Sequence, residues 1–145
     1  MPKRIVVTKT GGPEVLKYED YKPPMNLSKS MVRIKQTSIG INFIDTYHRT
    51  GIYPLPLEFP ICPGLEGAGD VIDVGEDVKN FQIGDRVAYS FSPPLGAYCE
   101  IRDFDADKVI KLPEYISNDE AASILLQGMT VEYLFERLYK IKKNE

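Results

Sequence analysis

Between Gly40 and Pro54 the chain reads GINFIDTYHRTGIYP, which places Asn42, Asp45, Tyr47, His48, Arg49 and Tyr53 among aromatic and apolar residues. An amide, a carboxylate and two phenols this close could bind a ligand and donate hydrogen bonds to charge that develops on it. His48 is the only histidine. Its type suits acid–base work near neutral pH. No serine or cysteine nucleophile stands in an arrangement that would pair with it, so it reads as a surface residue. Asp45, in FIDTY, and Glu66, in GLEGAG, are carboxylates set in apolar sequence. Such a group is either paired with a base, an arginine first of all, or functional. Cys62 and Cys99 are the only thiols and read as small buried residues. Two cysteines and one histidine cannot supply a four-ligand zinc site of Cys and His.

GLEGAGDVIDVG, Gly64 to Gly75, invites comparison with the dinucleotide fingerprint. From Gly67 that pattern needs glycines at 69 and 72, and position 72 is Ile. Its glycines also precede a strand, whereas the fingerprint lies between a strand and a helix. The glycines read instead as tight turns in a β-domain.

The elements that must position these residues are mostly strands. Arg4–Thr8 and Val15–Tyr21 are strand-like, broken by GGP and by Pro23-Pro24. MVRIKQT, Met31–Thr37, alternates with period two, as a strand with one wet face does. Asn42–Arg49 fits a short helix with Phe43, Ile44 and Tyr47 on one face, Phe43 and Ile44 anchoring it. Prolines 54, 56, 60 and 63 make the next stretch a rigid loop. Strands are expected after Gly64, at IGDRVAYS, at Gly96–Phe104 and at Lys108–Leu112. Turn signals about every ten residues suggest a barrel or sandwich. Ser117-Asn118-Asp119-Glu120 is a capping box. Helix follows to Gly128 and again over Thr130–Ile141, with Val131, Leu134, Leu138 and Ile141 on one face. That segment could sit apart from the strands.

The 145 residues suffice for one domain with a core. Hydrophobic residues make up 43% and charged residues 27%, a globular balance. The formal net charge of -3 argues against nucleic acid as a partner. No run approaches the roughly 18 apolar residues of a membrane span. The apolar start, Ile5–Val7, is too short for a signal peptide, so the chain reads as cytoplasmic.

These motifs together carry a resemblance. RIVVTKTGGPEVL, VRIKQTSIGINFIDTYHRTGIYP, PGLEGAGDVIDVGEDVKNFQIGDRVAY and AASILLQGMTVEYL resemble the zinc-independent NADPH:quinone oxidoreductases, the zeta-crystallin-like branch of the medium-chain dehydrogenase/reductases. The likeness covers essentially the whole chain. Zinc alcohol dehydrogenases place a ligand cysteine where this chain has Asn42 and a histidine where it has Leu65. The resemblance implies no metal. It implies a mainly β fold with C-terminal helices (α+β). Residues 1–116 would be a GroES-like, partly open β-barrel that forms the catalytic domain. Residues 117–145 would be a helical segment leading toward a Rossmann domain, whose AAGGVG-type glycine turn this chain does not reach.

By the same resemblance, Asn42, Tyr47 and Tyr53 would be catalytic. Asn42, Asp45, Gln127 and Thr130 would contact NADPH, although the family more often has Lys where Gln127 stands. The substrate would be a quinone or an enone. On this reading the chain is a truncated quinone oxidoreductase that binds NADPH weakly or not at all by itself. The alternative is a non-catalytic GroES-like remnant, an interaction module, or half of a split enzyme. Association would then use the exposed helix face around Phe135, Leu138 and Tyr139.

Overall fold

The computed structural model describes residues 1–54, 58–90, 95–139 and 141–142. Pro56 of the proline loop and the last three residues lie outside them. The strands are β1 (Lys3–Val7), β2 (Leu16–Asp20), β3 (Met31–Gly40), β4 (Glu66–Val74), β5 (Arg86–Ser90), β6 (Ile101–Asp105) and β7 (Ile110–Lys111). The helices are α1 (Phe43–Thr50) and α2 (Asn118–Glu132), the latter followed by a π-helical turn over Tyr133–Leu138. β1 and β2 form an antiparallel pair. The other five make an antiparallel sheet in the order β6-β3-β4-β5-β7. Backbone bridges from Arg4 to Cys99 and from Val7 to Ile61 hang the β1–β2 pair on the rest. The sheets do not close, which is the mainly β, partly open architecture expected.

Alternation on β3 sends Val32, Ile34 and Gln36 inward. The main core gathers Val32, Ile34, Val71, Val87, Tyr89 and Phe104, with Tyr89 stacked on Phe104 at 4.3 Å between ring centroids. The buried Arg102 guanidinium lies over both rings, 4.8 Å from Tyr89 and 4.6 Å from Phe104. Such desolvated cation–π contacts help a charge tolerate a core.

A second cluster, Ala68, Ala88, Ala121 and Ala122, is made of small residues. Small side chains let α2 lie close on the sheet, so the helix does not sit apart from the strands. Gly40 completes that approach, because a Cβ there would meet Ala122 O at 2.2 Å.

The Ser117 capping box forms as expected, with Glu120 N donating to Ser117 Oγ at 3.1 Å and Ser117 N to Glu120 Oε2 at 2.8 Å. The helix runs through Gly128 without a break. It then widens into the π turn, so the predicted Val131–Ile141 stripe is not one α-helical face. Ile141 lies beyond the helix. No helix among the described residues is long and apolar enough to cross a membrane.

Candidate functional site

β3 ends at Gly40, and two residues later Asn42 caps α1. Its backbone is extended, with φ −122° and ψ 149°. Asp45, at the third helical position, accepts from Asn42 N at 2.9 Å. This is one half of a capping box, and its carboxylate also suits the helix N-terminus. Gly51 ends α1 in the left-handed region, φ +83°, and its N–H donates to Tyr47 O at 3.0 Å. That conformation favours glycine.

Capping in this way frees the Asn42 side chain for other partners. Its Nδ2 donates to Glu66 Oε2 at 3.0 Å, and its Oδ1 accepts from Gln127 Nε2 at 2.7 Å. Glu66 opens β4 and is 1% exposed. Its other oxygen, Oε1, accepts from Leu126 N at 2.6 Å. One connected set of side chains therefore joins the start of α1, the start of β4 and the middle of α2.

The sequence leaves these carboxylates either ion-paired or functional, and neither Glu66 nor Asp45 shows an arginine partner among the described residues. Glu66 is met by Asn42 and a helix N–H. Asp45 is met by Asn42 N and by Tyr98 Oη, which donates at 2.8 Å. Burial pushes the Asp45 carboxyl above its ordinary value, opposed by those two donors and by His48. The Tyr98 phenol is pushed up as well, by burial first and then by the Asp45 charge.

Two expectations for α1 are corrected. Phe43 does not anchor the helix: it is 84% exposed. The residues α1 buries are Asp45 and His48. His48 is therefore no surface residue. Its ring stands 5.7 Å from that of Tyr53. Burial lowers its pKa, against the pull of Asp45. Both Asp45 Oδ1 and His48 Nδ1 are buried without a hydrogen-bond partner. Polar character on the inner face of α1 could have been read from the three-residue spacing of Asp45 and His48.

Tyr47 and Tyr53, by contrast, are exposed, at 42% and 59%. Thr130 turns its hydroxyl back to Leu126 O at 2.9 Å. The structure thus brings Asn42, Asp45, Glu66 and Gln127 together, sets Thr130 one turn along α2 from Leu126, and leaves the two phenols toward solvent. A separate apolar cavity of about 1000 Å³ lies along α2, lined by Leu125, Leu126, Gly128, Met129, Thr130 and Tyr133 among others but by none of Asn42, Asp45, Glu66 and Gln127. Among the described residues, no three His, Cys, Asp or Glu side chains cluster as metal ligands would.

Sequence reasoning missed Tyr98 and Gln36. Gln36 Nε2 donates to Ala97 O at 2.9 Å, while Tyr89 Oη donates to Gln36 Oε1. No local signal marks either residue, since their partners are far along the chain.

Residues 28–134 match the alcohol dehydrogenase GroES-like domain. Over all of its 145 residues the chain is 45% identical to a quinone oxidoreductase of Pseudomonas aeruginosa, of which it spans 44%. The solved structure of Escherichia coli quinone oxidoreductase complexed with NADPH superposes with a TM-score of 0.93 at 44% identity, over 99% of this chain and 43% of that one. A 2-haloacrylate reductase of a Burkholderia species is 41% identical over 97% of this chain and 43% of its own length. The chain spans less than half the length of each of these relatives. By its match and by its fold, the chain belongs to the alcohol dehydrogenase GroES-like domain family, and it corresponds to the N-terminal part of the quinone oxidoreductases.

Proposed function

We propose that this chain forms the substrate-side wall of a zinc-independent NADPH:quinone oxidoreductase, with a quinone or an enone as acceptor. The carrying observation is the Asn42 amide, fixed from two sides by Glu66 and Gln127. An amide NH2 has two donors, and Asn42 commits one of them to Glu66. The other is pre-oriented for a ligand, and a donor held in place stabilises developing charge better than a mobile one. The likeness to an NADPH complex and to an acrylate reductase supports both the cofactor and the acceptor class.

NADPH, when bound, supplies a hydride. This chain's own residues bind, orient and donate. Asn42, Asp45, Gln127 and Thr130 are assigned to the nicotinamide end, Thr130 being the one of them that also lines the apolar cavity. The Tyr47 and Tyr53 phenols and the Asn42 amide meet the negative charge that reduction leaves on the acceptor's oxygen. The pyrophosphate end does not fit here. In the turn from β3 into α1, Ala122 O fills the space over Gly40, and Asp45 takes the Asn42 N–H. Weak NADPH binding by residues 1–145 alone follows from that.

The test joins this chain to the remainder of the Pseudomonas aeruginosa relative and follows NADPH oxidation with 1,4-benzoquinone. Activity in the fusion, and none in residues 1–145 alone, is expected. A folded fusion that binds NADPH but reduces no quinone overturns the reading. A second reading, association with a separate nucleotide-binding chain, is favoured by the exposed Phe135, Leu138 and Tyr139. It expects activity when the two pieces are mixed unlinked, and loses its support if only the fusion is active.

A further inference from the structure

Cys62 and Cys99 lie outside the network just described, and nothing in the proposed reaction uses them. Backbone pairing brings them together from distant parts of the chain. Tyr98 N donates to Pro63 O at 3.0 Å, and Ala97 N to Gly64 O at 3.1 Å. Both bonds hold the segment around Pro63 against the segment around Tyr98. Cys62 and Cys99 are the chain neighbours of the bonded pair Pro63 and Tyr98.

Cys62 Sγ is already 3.5 Å from Tyr98 O, the carbonyl of the residue just before Cys99. β1 holds both segments from the other side. Ile5 N donates to Tyr98 O at 2.8 Å, and Val7 and Ile61 exchange both backbone bonds at 2.8 and 2.9 Å. The approach of the two cysteines is therefore set by paired backbone and not by loose loops.

Both thiols also line one cavity of about 350 Å³, together with Arg4, Tyr21, Met31 and Arg102. Cys99 is buried and Cys62 half-buried. Gln36 Nε2 donates toward Cys99 Sγ at 3.5 Å. As a neutral thiol, Cys99 donates to Gly96 O or Ile101 O, each at 3.1 Å. Its pKa is held below the ordinary thiol value, first by the bond from Cys62 and then also by the Arg102 charge. A depressed pKa and access from a cavity are what distinguish reactive cysteines from inert buried ones.

We propose that Cys62 and Cys99 are a dithiol that hydrogen peroxide oxidises to a reversible intramolecular disulfide. The Cys99 thiolate attacks one peroxide oxygen, the O–O bond breaks, and hydroxide leaves, so Cys99 becomes a sulfenic acid. The Cys62 sulfur then attacks the Cys99 sulfur. The S–O bond breaks, water leaves with the Cys62 proton, and the S–S bond forms. Two electrons pass from the two thiols to one peroxide. The inference does not depend on the reductase reading.

The experiment treats the folded chain with hydrogen peroxide, blocks remaining thiols with N-ethylmaleimide, and maps peptides without reduction. The expected result is loss of both alkylatable thiols, an intact mass lower by two hydrogens, and one linked pair containing Cys62 and Cys99. Dithiothreitol should return both thiols. In Cys62→Ser, dimedone should trap a sulfenic acid at Cys99; in Cys99→Ser, Cys62 should stay reduced. Wild-type chain that keeps both thiols, or that links two copies, overturns the proposal. Equally fast oxidation of Cys62 in Cys99→Ser overturns the assignment of Cys99 as the attacking sulfur. The wild-type peptide map stands whether or not the variants fold.

Discussion

Asn42 and Gln127 meet side chain to side chain at 2.7 Å, and with Glu66 beneath them they tie the first turn of α1 to α2. Glu66 uses one oxygen for each helix. A glutamine there has one acceptor oxygen and must turn an NH2 toward a donor. Glu66→Gln is expected to lose about 1–3 kcal/mol of stability, the cost of leaving a buried polar group unsatisfied. Urea unfolding measures it, and an unchanged midpoint would refute the role.

Gly40 and Gly128 should respond oppositely to alanine. A Cβ at Gly40 meets Ala122 O at 2.2 Å, whereas one at Gly128 meets nothing within 4 Å. Gly40→Ala must push α2 off the sheet, an overpacking cost of about 1–3 kcal/mol. Gly128→Ala, inside α2, should gain about 0.5–1 kcal/mol from helix propensity. Thermal unfolding of the two variants side by side gives the comparison.

His48 sets an acid limit. Its folded pKa is lowered by burial, so the unfolded chain takes up a proton first as pH falls below about 6.5. Stability is fully present above that value and declines on acidification. The titratable groups that face His48 are Asp45 and Tyr53, and Tyr98 in turn bonds Asp45. Asp45, whose pKa is raised, works the other way: its contribution to stability grows as pH falls through that raised value and is complete once pH is below the ordinary carboxylate range. The melting temperature should therefore fall between pH 7 and 5 in the wild type. His48→Gln should flatten that slope; an equal slope in both proteins would sink the assignment.

In the fusion described above, Tyr47→Phe and Tyr53→Phe should each lower turnover with folding unchanged, because both phenols are exposed and support no core. Losing one positioned donor costs roughly 10²–10³ in kcat where the donor meets charge directly. Steady-state kinetics with 1,4-benzoquinone decide it, and wild-type kcat in both variants would remove the phenols from the mechanism.

Much of this fold was legible because local signals agreed with the tertiary structure. The period-two pattern of Met31–Thr37 is β3, and Ser117-x-x-Glu120 is the cap of α2. The face of α1 was misread for a physical reason. Apolar periodicity locates a core face only where that face buries apolar groups, and α1 buries Asp45 and His48 instead. Glu66 stood out as a carboxylate in apolar sequence, but its partners lie 24 and 60 residues away. Window-based reading cannot supply such pairings. The π turn was also out of reach, since Tyr133–Leu138 carries ordinary helix formers.

The two irregularities in the β3–β4 ladder have a consequence for chain length. Arg33 pairs with Asp73 and Ile34 with Val71, so Ile72 is extra on β4; Gln36 pairs with Gly69 and Ser38 with Ala68, so Thr37 is extra on β3. One insertion cancels the other, and Gly40 again faces Glu66 in the register that began at Val32 and Val74. Deleting Thr37 alone removes the extra residue, so Ser38–Ala68, Ile39–Gly67 and Gly40–Glu66 follow Gln36–Gly69 without a gap and the Asn42 end stays beside Glu66. Deleting Ile72 alone likewise lets Ile34–Val71 follow Arg33–Asp73 directly. Each strand thus carries one position at which the chain can lose a residue while every paired residue keeps its partner.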